Sequence, residues 1–327
     1  MPNDRSVVAI RCITYNHEPY IRDCLEGFII QKTNFPFVAI VHDDASTDGT
    51  AAIVREYAEK YPDIIKPIFE TENQYSKHDG SLDRIMNNAC SETGAKYIAL
   101  CEGDDYWTDP LKLQKQVDFM EANPEYGLVY TDYNIKDETS GENIQSGLGS
   151  GVKKPILTFE EHLHRAGYIA PMSWLWRQST FNSIQTKFTE YRHTDGSYTL
   201  ALLFFLYSKV YFLKDITCTY RIVGESASHS SSPLRFFNYK KGVLATQLDF
   251  LKYSNHADAE KIDLLAKFYT KFGWLIVTNK LTNEYRNLHN YYGILNKGNL
   301  KYWIFKLFTY RWNIWILRYY YKYICHI

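Results

Sequence analysis

The residues that invite chemistry stand in short polar groups, each directly after an apolar run: Thr14-Tyr15-Asn16, Asp43-Asp44 and Glu102-Gly103-Asp104-Asp105. Carboxylates this close repel and raise one another's pKa unless positive charge sits among them. Asp104 and Asp105 therefore suit a hard divalent cation, since Mg2+ or Mn2+ takes oxygen ligands, keeps several waters and commonly bridges to substrate phosphates. Asp43 and Asp44 precede a helix start, where acids are also favourable for structural reasons. Beside a second Asp pair they read as ligand contacts, and an Asp that accepts from an imide N–H is a good reader of uracil.

Positioning these groups requires strands. Apolar runs at 7–13, 37–41, 64–69, 97–101 and 128–133 read as five strands, alternating with helices near 22–31, 51–61 and 82–91. Ser46, Thr47 and Asp48 supply cap chemistry for the second helix. A fourth helix carries Leu113, Val117 and Met120 on one face, with Thr108 or Asp109 as cap and Pro110 near its first position. Strands separated by helices imply right-handed crossovers and an α/β fold with a mostly parallel sheet covered on both faces. In such sheets ligands bind outside the carboxyl ends of the strands. All three polar groups fall there.

Further along, 136–154 is polar and Gly/Ser-rich and reads as a loop on the ligand side. From 156 to 223 the pattern is mixed: a short helix near 159–164, an apolar piece at 172–176, a helix starting near Asp195, and strands at 210–213 and 218–223. Long helical stretches follow at 235–254, 258–281 and 284–295, so the domain boundary is placed near 235.

Bulk composition narrows the function classes. The 327 residues are 45% hydrophobic and 23% charged, as in an ordinary globular protein. Lys+Arg and Asp+Glu are both 37, so the whole molecule exerts no strong field on nucleic acid, and any charged partner must be met by a local patch. Six scattered cysteines without a C-x-x-C pair suggest reduced thiols in a cytosolic protein rather than a disulfide framework or zinc site. The N-terminus enters a strand without an h-region of signal-peptide length, and no run of 18 uncharged apolar residues suggests a membrane span. The tail 301–327 carries Lys301, Lys306, Arg311, Arg318 and Lys322 among aromatics, with no acid. It suits an interfacial helix at the inner face of a membrane, and equally a set of aromatics docked as core.

Three stretches, "VVAIRCITYNHEPYIRDCLEGFIIQ", "VAIVHDDASTDGT" and "KYIALCEGDDYWTDPLKLQKQVDFM", resemble in order and spacing the inverting family 2 glycosyltransferases, especially bacterial surface-polysaccharide enzymes. The resemblance covers 1–135. It implies a GT-A (Rossmann-like) α/β domain over 1–235, with 1–135 binding a nucleotide-sugar and 136–235 on the acceptor side, followed by a helical region at 236–327. Thr14 and Tyr15 would line the nucleotide pocket with Asn16 and Glu18 nearby, Asp43 would bind uracil with Asp44 beside it, and Asp104 would bind the ribose. Asp105 would ligate Mn2+ or Mg2+. "EGDD" departs from a strict D-x-D, so Glu102 competes with Asp105 as principal ligand, Asp105 being favoured. Inversion also needs a base for the acceptor hydroxyl on the far side of the sugar; Asp195, at the start of an apolar helix, is the candidate ahead of Glu190 and Glu160. "TYRIVGESASHS" would fold over the diphosphate and bring His229 to phosphate or metal.

The expectation is a metal-dependent inverting glycosyltransferase, cytoplasmic or peripheral on the inner membrane face, moving a sugar from a UDP-sugar to a glycan or lipid-linked acceptor. A nucleotidyltransferase is the alternative enzyme, yet "TYNHEPY" lacks the Gly and basic residues of a triphosphate loop. A non-catalytic carbohydrate-binding protein would explain the 28 Tyr but leaves the clustered acids without a purpose.

Overall fold

A computed structural model describes residues 6–146, 154–165, 169–189, 194–224, 232–279 and 281–296. The chain divides into two compact units, Met1–Tyr191 with Gly196–Gly224, and Arg192–Asp195 with Glu225–Ile327. The first unit closes at Gly224, ahead of the change of pattern near 235.

In the first unit β1 (Val8–Thr14), β2 (Phe37–Asp43), β3 (Ile65–Phe69) and β4 (Tyr97–Leu100) run parallel in the order β3-β2-β1-β4. All of β4 is buried, as are Val8, Ala9, Ile10 and Cys12 of β1, which is why these strands read as continuous apolar runs. The crossovers are α1 (Ile21–Ile29), α2 (Thr50–Lys60) and α3 (Ser81–Glu92). After β4 come the short β5 (Tyr106–Trp107), α4 (Lys112–Ala122) and the long β6 (Tyr126–Asp137), whose partner β7 (Asn143–Ile144) lies off the main order. As expected, α4 buries Leu113, Val117 and Met120.

Beyond β4 the sheet is no longer purely parallel. β8 (Trp174–Arg177) inserts antiparallel between β4 and β6. β9 (Lys209–Ile222) runs parallel to β6 and antiparallel to β5, giving the order β3-β2-β1-β4-β8-β6-β9-β5. The two strands expected at 210–213 and 218–223 are thus one, interrupted by register shifts opposite Thr131, Asp132 and Tyr133 that accommodate the polar Lys214 and Asp215. Only 101–105 separate β4 from β5 in the chain, yet three strands stand between them in the sheet. The sheet therefore curls, and the acid-rich turn sits where it folds back on itself. Three helices complete the unit: α5 (Phe159–His164), α6 (Gln178–Thr189) and α7 (Gly196–Tyr207).

Two buried features hold β5 in place. Gly27 of α1 lets the helix approach so closely that a Cβ there would lie 2.8 Å from the Trp107 backbone N and 2.9 Å from its O. Trp107 donates from its indole to Met172 O at 2.9 Å, and the Lys112 ammonium sits 4.3 Å from the Trp107 ring centroid. Lys112 is fully buried, donates to Gln116 Oε1 at 2.7 Å, and is lowered by burial to about 8.

The second unit contains α8 (Pro233–Phe250), α9 (Ala257–Thr278) and α10 (Thr282–Asn296), with Phe237 against Phe268 and Phe272. Glu284 accepts from the Tyr269 hydroxyl at 2.7 Å and pairs with Lys241. Among the described residues no helix is long and apolar enough to cross a membrane. The tail 301–327, and with it the expected membrane contact, lies outside them.

Gly27→Ala should cost about 1–3 kcal/mol by overpacking against Trp107, read from urea unfolding. Lys112 gives a pH signature. Its folded pKa is depressed below the ordinary Lys value, so between about 8 and about 10.4 the unfolded chain binds more protons and stability rises with pH. Lys112→Met should therefore be more stable than wild type at pH 7, with the advantage shrinking as pH climbs through that window.

Candidate active site

The ends of β2, β1 and β4 form the floor of the site. Thr14 and Asp43 are register partners, Asp44 N donates to Thr14 O at 2.9 Å, and Gly103 N donates to Ile13 O at 2.9 Å. Asp43 Oδ2 accepts from Ser46 N at 3.2 Å. Asp43 Oδ1, Thr14 Oγ1 and His17 Nδ1 are buried with no hydrogen-bond partner in the structure. Each such atom forfeits roughly 1–3 kcal/mol unless a bound molecule supplies the partner. Gly103 is what lets them gather: a Cβ at 103 would lie 2.5 Å from Thr14 Oγ1 and 2.8 Å from His17 Nδ1. Burial lowers His17 against the opposing pull of Asp104, Asp48 and Asp43, which favours a neutral ring. His17 went unnoticed in the sequence, although it follows the singled-out Asn16.

The other polar residues of this rim brace the loops. Asn16, in the left-handed region at φ 54°, donates from its backbone N to Ser46 Oγ at 2.9 Å and accepts from Thr47 N at 2.8 Å. Ala45 is left-handed too, at φ 62°. Glu18 Oε2 accepts from Gly49 N at 2.8 Å and Asp48 Oδ1 from Thr50 N at 3.0 Å, so these acids cap α2. Asp44 has both oxygens engaged, by Gln74 N at 2.7 Å and Tyr75 N at 3.0 Å, which ties the 3-10 turn Tyr75–Lys77 to β2. Tyr15 is exposed and presents its ring at the rim.

The acid turn leans on a residue that sequence reasoning missed. Arg221, buried near the end of β9, donates from its backbone N to Asp105 Oδ1 at 2.8 Å. Its guanidinium donates to Asp104 O at 3.0 Å and Glu138 Oε1 at 2.9 Å, and pairs with Asp23 of α1. Tyr20 and Tyr106 flank it, the latter with its ring centroid 4.2 Å from the guanidinium carbon. The β5–β9 pairing brings these parts together, with Tyr106 opposite Thr219. Asp105 is only 4% exposed. Burial pushes its carboxyl well above the ordinary range, Asp104 adds to the rise, and the Arg221 N–H opposes it. Arg221 thus brings one cation to a turn that carries three acids.

The donor chemistry of the turn fits a divalent cation. Asp105 Oδ2 carries no hydrogen bond in the structure, and the nearby oxygens of Asp104 and Glu102 are hard donors of the kind Mg2+ and Mn2+ take. Among the described residues no group of three or more His, Cys, Asp or Glu could hold a metal unaided. The donor set resembles sites where one or two carboxylates bind the ion and substrate phosphates complete the shell.

Asp195 precedes α7 and accepts from the Tyr239 hydroxyl at 2.6 Å within the second unit. Glu160 is on the exposed face of α5, while Glu190 and His229 lie outside the described residues. Beneath the acid turn, Cys24 Sγ lies 3.9 Å from both Cys12 and Cys101, and all five described cysteines are buried free thiols. Burial pushes Cys101 up to about 11 and Cys218 up to about 12, which makes them poor nucleophiles.

Residues 10–204 match the family described as Glycosyl transferase family 2. An uncharacterized protein of Mycobacterium tuberculosis is 48% identical over 118 residues, a stretch that is 36% of this chain and 32% of that protein. The putative glycosyltransferase EpsE of Bacillus subtilis is 36% identical over 124 residues, 38% of this chain and 42% of EpsE. The chain thus spans about a third to two-fifths of the length of these curated relatives. Among solved structures, S. aureus TarS 1-349 in complex with UDP-GlcNAc superposes with TM-score 0.56 at 17% identity, over 88% of this chain and 79% of that one. At that identity the likeness is one of fold: a GT-A-like α/β domain.

Asp44→Ala should free the Gln74 and Tyr75 amides and loosen the 70–80 loop. Limited proteolysis should cut there several-fold faster, and the urea midpoint should fall, because two amides lose a buried acceptor.

Proposed function

Because the chain belongs to the family 2 glycosyl transferases, we propose that it moves a sugar from a UDP-sugar, with inversion and with a divalent cation, to a hydroxyl of a glycan or lipid-linked acceptor in cell-surface polysaccharide synthesis. The observation that carries this reading is the convergence of Asp43, Thr14 and the Asp104-Asp105 turn at the ends of three adjacent strands, with three buried polar atoms awaiting partners. A nucleoside diphosphate supplies what they lack. Asp43 Oδ1 accepts from the uracil imide N–H, the Tyr15 ring covers the base, and Asp104 accepts from a ribose hydroxyl. The TarS fold relative binds UDP-GlcNAc, and the surface-polysaccharide enzymes that 1–135 resembles motivate the acceptor class.

Asp105 would hold the cation through Oδ2, with His229 as a further ligand; when bound, the ion neutralises charge developing on the departing diphosphate. Asp195 takes the proton of the acceptor hydroxyl as that oxygen attacks the anomeric carbon from the face opposite the leaving group. The hydrogen bond from Tyr239 orients its carboxylate for that task. Asn16, Glu18 and Asp44 act at one remove, by keeping the loops around the nucleotide in place.

Two substitutions separate the roles. Asp105→Ala should abolish Mn2+-dependent release of UDP from UDP-sugars, and undiminished turnover in that variant contradicts the reading. Asp195→Asn should leave the UDP-induced thermal shift unchanged while transfer falls by about 10²–10⁴-fold, the range of a general base.

A further inference from the structure

The donor-site reading leaves unexplained why a buried arginine is gripped by two carboxylates outside the site. Asp23 of α1 has a side chain 59% exposed, and Glu138, just past β6, is 25% exposed and also pairs with Lys136 at 2.8 Å. Both turn toward the Arg221 guanidinium, whose remaining reach is spent on Asp104 O, between the rings of Tyr20 and Tyr106. The Arg221 backbone N–H takes Asp105 Oδ1 and leaves Oδ2 as the oxygen without a hydrogen bond.

We propose that Arg221 is a positioning residue for the divalent cation, and that Asp23 and Glu138 set its position and its effective charge. The proposal rests on the donor-site reading and extends it to two residues outside the pocket. Two physical effects act in the same direction. A guanidinium forked onto fixed acceptors holds the Asp104-Asp105 turn in one shape, so Asp105 Oδ2 needs no reorganisation when the ion arrives. Asp23 and Glu138 also compensate a positive charge that would otherwise stand bare beside an incoming dication. Removing them frees the fork and uncovers the charge, and both changes weaken cation binding. A merely structural Arg221, cementing β9 to α1, would show itself in unfolding and not in cation affinity.

Arg221→Ala would strip a buried network and endanger the fold, so the test uses the partly exposed partners. Full-length wild type, Asp23→Asn, Glu138→Gln, the double variant and Arg221→Lys are saturated with UDP and titrated with Mn2+, free Mn2+ being read by electron paramagnetic resonance. Glu56→Gln, which removes an exposed acid paired with Arg22 and not with Arg221, serves as the charge control. The double variant and Arg221→Lys should lose about 10-fold or more in Mn2+ affinity, the usual cost of disturbing residues that orient a ligand. Glu56→Gln should stay within about twofold, and the urea midpoint of the double variant should match wild type. Wild-type affinity in the double variant, or an equal loss in Glu56→Gln, overturns the proposal and leaves the donor-site reading standing. Failure of wild type itself to retain Mn2+ with UDP overturns both.

Discussion

A turn carrying Glu102, Asp104 and Asp105 is held against one buried guanidinium at the seam where the sheet curls onto itself. That contact decides much of the rest. β5 can pair with β9 only if the turn after β4 crosses to the far side of the sheet, and Gly27, Trp107 and Lys112 secure the crossing. Arg221 answers part of the acid charge and fixes one oxygen of Asp105. It does not answer all of it, since burial and Asp104 still hold the Asp105 carboxyl well above its ordinary range. In the proposed function a dication and a diphosphate would complete the charge balance at this turn, and preorganised charge of that kind stabilises a departing anion.

The rim beside the acid turn is built from side-chain hydrogen bonds to backbone amides. The loops after β1 and β2 are bolted together by Asn16 with Ser46 and Thr47, and by Glu18 with Gly49. Asn16 and Ala45 hold left-handed backbone, a conformation costing about 1–2 kcal/mol per residue away from glycine. Two left-handed residues and three unpartnered buried atoms share this rim, while others, such as His42 Nδ1 on β2 and Trp174 Nε1 on β8, lie in the sheet itself.

The parallel block was legible because β1, β2 and β4 are largely buried and so spell out apolar runs, broken in β1 only by Arg11, that end in polar residues. Which acid of a pair does what was less so. Successive strand residues point to opposite sides, and that alternation separates Asp43, whose Oδ1 is left unpartnered, from Asp44, which grips Gln74 and Tyr75. Asn16 and Glu18 stand in the loop after β1, and their side chains brace α2 and its approach. Arg221 carried no local signal: it lies 116 residues from Asp105 and meets it through a two-residue strand too short to show a pattern. β8 was hidden for a related reason, since its antiparallel insertion depends on partners distant in sequence.

In the proposed function the acid turn is completed by a dication bonded to Asp105 on the side turned away from Arg221. Anomalous scattering at the manganese edge, from crystals of the protein grown with UDP and Mn2+, tests it most directly. The expected result is a single strong peak bonded to Asp105 Oδ2 and to diphosphate oxygens, with Oδ1 still held by the Arg221 amide. A peak remote from Asp105, or bound diphosphate there with no metal, would contradict it.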